Sequence, residues 1–84
     1  MADNYQDILL WFVKYKTQTQ MIELYESATL YSLKAALIPA FGLTENDLAN
    51  LVVICKGRAL KDETKSMIEL VLYIYNRAHN RGLN

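Results

Sequence analysis

The chain has 84 residues, enough for one domain and too few for two. Nine basic residues balance nine acidic ones, so charge recommends neither nucleic acid nor an anionic membrane as a partner. A hydrophobic fraction of 52% permits a core, and a single cysteine, Cys55, excludes an internal disulfide and fits a reducing compartment.

Residues 1–6 are polar and the opening is acidic, unlike a secretory leader. Ile8–Val13 is short, apolar and aromatic-rich, which predicts a strand and is too short for a bilayer. The polar run Lys14–Gln20 has only a weak turn signal, and Met21–Tyr25 alternates as a second strand, so the two are expected to pair as a hairpin. Thr29 opens a helix, with its hydroxyl placed to accept from the Ser32 backbone N–H. Leu30, Leu33, Ala36 and Leu37 share a helical face, and Lys34 is expected to point away from it. Gly42 is the natural terminator. Pro39 would remove a donor and crowd residue 35, so the regular helix is expected to end near Ile38.

Thr44 is placed to cap a short turn over Glu45–Asn50. Leu51–Cys55 reads as a third strand, Lys56-Gly57 as a turn, and Leu60 as an isolated apolar anchor. Met67–Tyr75 is a long β-rich run and is expected to form the last strand. The order ββαββ predicts an α+β domain over residues 7–76, a sheet with one helix across one face, with flexible termini at 1–6 and 77–84.

Several segments resemble the ubiquitin family in order. Phe12-Val13-Lys14 echoes its first strand, and Glu26–Lys34 its passage from strand to helix. Gly42-Leu43 is similar to the glycine and isoleucine after its helix, Ile54–Leu60 to its third-strand turn, and Leu70-Val71-Leu72 to its last strand. The resemblance implies a β-grasp fold with a mixed sheet and parallel first and last strands. The Phe-Val-Lys echo is out of register with the rest. Keeping one register puts Ile8, Leu10 and Phe12 inward with Ile22 and Leu24, and leaves Trp11 and Val13 outward. Three features depart from the family: extra residues before the third strand, missing residues between Leu60 and the last strand, and no terminal Gly-Gly for conjugation, since only Gly82 stands near the end.

The resemblance places Ile54 and Val71 in a hydrophobic recognition patch, with Tyr15 near a third position and Tyr73 and Val52 beside it. Strand alternation agrees: with Val53, Cys55, Ile68 and Leu70 inward, Ile54 and Val71 face out. The competing reading is that the tail or a second copy covers this face. Catalysis finds no support. His79 lies in the tail, and Cys55 lies in an apolar strand where a thiol is usually inert packing. One histidine and one cysteine do not make a zinc site, and no phosphate-binding glycine loop occurs. No catalytic residue, cofactor or metal is therefore expected.

The resemblance implies a non-conjugated ubiquitin-like interaction domain of the ubiquitin–proteasome pathway, cytoplasmic or nuclear. Its partners would be ubiquitin receptors, proteasome subunits or the host protein's own domains. The alternatives are a modifier attached after C-terminal processing and a β-grasp domain that binds small GTPases, which a basic strand edge would favour and for which Lys14 and Lys16 give weak support.

Overall fold

In a computed structural model of the chain, residues 7–74 are described, and they form a small α+β structure with two antiparallel strand pairs. Strands β1 (Ile8–Tyr15) and β2 (Gln18–Tyr25) make the first pair, with Trp11 opposite Ile22 and Phe12 opposite Met21. The polar run expected as a loop is thus mostly strand. Only Lys16 and Thr17 turn, and Lys16 takes a φ of 56°, the left-handed conformation that a tight connection requires when no glycine is present.

Which face of β1 turns inward is opposite to the expectation. Ile8, Leu10 and Phe12 are exposed, while Trp11 and Val13 pack with Leu24 against the core around Ile22. Both parities of β1 are apolar, so alternation alone could not choose between them. Directly opposed residues share a face, and the pairing of Trp11 with buried Ile22 decides it.

Helix α1 (Leu30–Phe41) crosses the inner face and buries Leu30, Leu33 and Leu37. Its first-turn donors are all satisfied. The Leu30 N–H donates to the Lys65 carbonyl, that of Tyr31 to Glu63, and that of Ser32 to the Thr29 hydroxyl at 3.2 Å. The helix does not end near Ile38. It continues through Pro39 to Phe41, and the N–H groups of Gly42 and Leu43 both close on the Ile38 carbonyl, with Gly42 left-handed at φ 68°. Nor does Lys34 point away. At four residues from Leu30 it lies on the same stripe, is 7% exposed, and reaches Glu63 at 2.8 Å.

A short helix α2 (Glu45–Leu48) follows, begun at Thr44 as expected. Strands β3 (Val53–Cys55) and β4 (Arg58–Leu60) form the second pair around Lys56-Gly57, with Gly57 at φ 80°. Leu60 is therefore not an isolated anchor. It ends a strand opposite Val53 and is buried.

The expected last strand is a helix. Residues 67–74, the end of the described chain, are helical and are called α3 here. Ser66 and Glu69 start it reciprocally: the Glu69 N–H donates to the Ser66 hydroxyl at 3.2 Å, and the Ser66 N–H to the Glu69 carboxylate at 3.3 Å. Met67 and Ile74 are buried, with Leu70 and Val71 packed beside them, a spacing of three, four and seven. Among the described residues no parallel pairing of the first and last strands forms, and the two strand pairs are separate sheets. Tyr75 and the tail with His79 and Gly82 lie outside the described residues.

Candidate interaction surface

The inward turn of Trp11 and Val13 sends the other parity of β1 to solvent. Ile8, Leu10, Phe12, Met21 and Tyr25 are all exposed large apolar side chains, and Phe12 is 73% exposed. Register joins them into one patch: Ile8 lies opposite Tyr25, and Phe12 opposite Met21, with Leu10 opposite Glu23 between. Leaving so many large apolar groups side by side in water is costly, and such patches mark contact surfaces.

The second strand pair adds to the apolar exposure. Ile54 and Val52 are each 65% exposed, while Val53 and Cys55 pack against the core. Here the strand alternation read from sequence holds. Val71 is different. It belongs to α3, is half-buried and packs against the core, so it is not an exposed sheet neighbour of Ile54. Tyr15 is also half-buried and lies against the Phe41 ring, with centroids 5.4 Å apart and planes inclined at 49°. Tyr73 is exposed, beside Arg58, Asp62 and Leu70.

Three of the four expected contact residues nevertheless meet. Tyr15, Ile54 and Val71 line one groove of about 350 Å³, whose walls are residues 11–15 and 51–55 and whose floor is Leu33, Leu37, Leu60 and Met67. Tyr73 lines a separate depression. Sequence reasoning missed the outer face of the hairpin. Its signal was present in Ile8–Val13, where both parities are apolar and one of them had to face water.

Polar chemistry is sparse. Among the described residues no group of three or more histidine, cysteine or acidic side chains could hold a metal. Cys55 is a free, half-buried thiol. The Asp47 carboxyl is held below its ordinary value by the Thr44 backbone N–H at 2.9 Å and then by the Thr44 hydroxyl. The Asp62 carboxyl is lowered likewise, first by the Thr64 hydroxyl and then by its N–H. Both are loop-capping roles. Glu63 partners buried Lys34. Among the described residues no helix is long and apolar enough to cross a membrane.

The chain matches no protein-family model, no curated protein and no solved structure.

Proposed function

We infer that the chain is a protein-interaction module without catalytic chemistry, and that partner proteins dock on the outer face of the β1–β2 hairpin. The observation that carries this reading is the exposed apolar patch of Ile8, Leu10, Phe12, Met21 and Tyr25. A ubiquitin-like, β-grasp ancestry is part of the proposal. It is supported by the order of hairpin, capped helix and short second hairpin, and by the residues that resemble the family at Thr29, Gly42 and Ile54–Leu60. The helical α3 argues for a departure from that fold at its last strand. On this reading the partners are ubiquitin receptors or proteasome subunits.

The test is a titration of the isotopically labelled chain with a ubiquitin-binding helical peptide, followed by backbone amide NMR. Shifts should cluster at Leu10, Phe12, Met21 and Tyr25. Shifts confined to α2 and the Asp62–Lys65 loop would refute the hairpin face. No shift at any soluble peptide concentration would refute the ubiquitin-receptor partners.

A further inference from the structure

Each of the two strand pairs leaves two edges open. Among the described residues β1 pairs with β2 alone and β3 with β4 alone. The free edges of β1 and β3 face one groove. Consecutive residues 11–15 and 51–55 line it, whereas one sheet face would contribute only every second side chain, so the strand edges themselves form its walls. The floor from α1, β4 and α3 is apolar: Leu33, Leu37, Leu60, Met67 and Val71. Trp11, in one wall, has its indole N–H sequestered with no acceptor among the described residues. Among the described residues Lys14 is the only charged one that lines the groove, and no carboxylate does.

We propose that this groove takes a single extended segment of a partner protein, which pairs with β1 on one side and β3 on the other and joins the two hairpins into one sheet. Pairing on two edges requires a strand that is free on both of its own edges. Each of the four strands among the described residues already has one edge occupied, so none of them in a folded second copy qualifies. The terminal stretches 1–6 and 75–84 carry no alternating apolar side chains, and 75–84 is basic, which repels Lys14. The occupant is therefore an extended segment with apolar side chains at every second position. Lys14 makes it neutral or acidic.

This proposal stands on different observations from the hairpin-face reading, and Cys55, the only cysteine, reports on it from within the groove. The probe is a short acetylated peptide that alternates valine with threonine around one central glutamate. The full chain is labelled with a maleimide with and without the peptide. At about ten times its dissociation constant the peptide should slow Cys55 labelling about tenfold by occupancy alone. A backbone N-methylated copy, unable to donate, should not protect, and Lys14→Glu should weaken protection. Met21→Ser, which alters the outer hairpin face and not the groove, should leave protection unchanged. Equal protection by the N-methylated copy, or no protection by the parent peptide, would overturn the proposal. So would protection that grows with protein concentration alone, because a second copy would then fill the groove. Loss of protection in Met21→Ser would return the peptide to the outer face.

Discussion

Two segments of this chain, Ile8–Val13 and Met67–Tyr75, carry the same kind of β-rich, nearly continuous apolar run, yet one is a strand and residues 67–74 of the other are a helix. The difference lies in what precedes and opposes each run. β1 has β2 across a tight turn, so its backbone finds a ladder nearby. The second run begins immediately after Ser66, whose reciprocal bonds with Glu69 satisfy helix donors at once. The bridge of Ser66 with Thr29 and the Met67 N–H bond to the Ala28 carbonyl then anchor that start against α1. Propensity is a weak prior when a cap and an apolar spacing of three and four agree.

The two regions differ most in which side chains they bury. Trp11→Ala should cost about 3 kcal/mol, the low end for a large aromatic because Trp11 is only partly buried, while Phe12→Ala should stay within about 0.5 kcal/mol. Denaturant unfolding reads both, and the reverse order would restore the opposite register. Within α3, Met67→Ala should cost about 2–5 kcal/mol and Leu72→Ala no more than about 0.5 kcal/mol, since Met67 is buried and Leu72 is 53% exposed. A strand would bury Leu72 together with Leu70, so a large loss in Leu72→Ala would mean that the segment is extended.

Smaller effects concern the connection between the regions. Glu63→Gln leaves the Lys34 ammonium buried without its charge partner and should cost about 1–3 kcal/mol, and a paired change of Lys34 and Glu63 to methionine should recover part of it. Ser66→Ala should cost about 0.5–2 kcal/mol and lower the helical signal in far-ultraviolet circular dichroism. The smallest effect is acid dependence. The folded-state carboxyls of Asp47 and Asp62 titrate below their unfolded values. Their contribution is complete above the unfolded range near pH ~4 and fades as pH falls through the folded values. Replacing both with asparagine should flatten the loss of stability between neutral and acid pH.

Much of the local structure was legible in the sequence because it is coded within a few residues. Thr29 and Ser32 announce the start of α1, Gly42 its end, Thr44 the start of α2, and Lys56-Gly57 the second turn. The alternation that exposes Ile54 was equally readable. What failed depends on tertiary choice. Lys34, although charged, sits on the apolar stripe and finds Glu63 far along the chain. Pro39 lies near the end of α1, where Gly42 and Leu43 still close the final turn. For α3 the signal existed: Ser66-Met67-Ile68-Glu69 is a capping box. The outer face of the hairpin was hidden because both parities of β1 are apolar.

The central claim is that the outer hairpin face serves binding and contributes little to the core. It is tested most directly by Leu10→Ser with Met21→Ser in one chain, two exposed positions that do not line the groove. The paired measurement is the unfolding free energy of that variant and its affinity for the ubiquitin-binding helical peptide. The account predicts stability within about 1 kcal/mol of the parent and affinity reduced about tenfold or more. Unchanged affinity, or a collapse of stability, would contradict it.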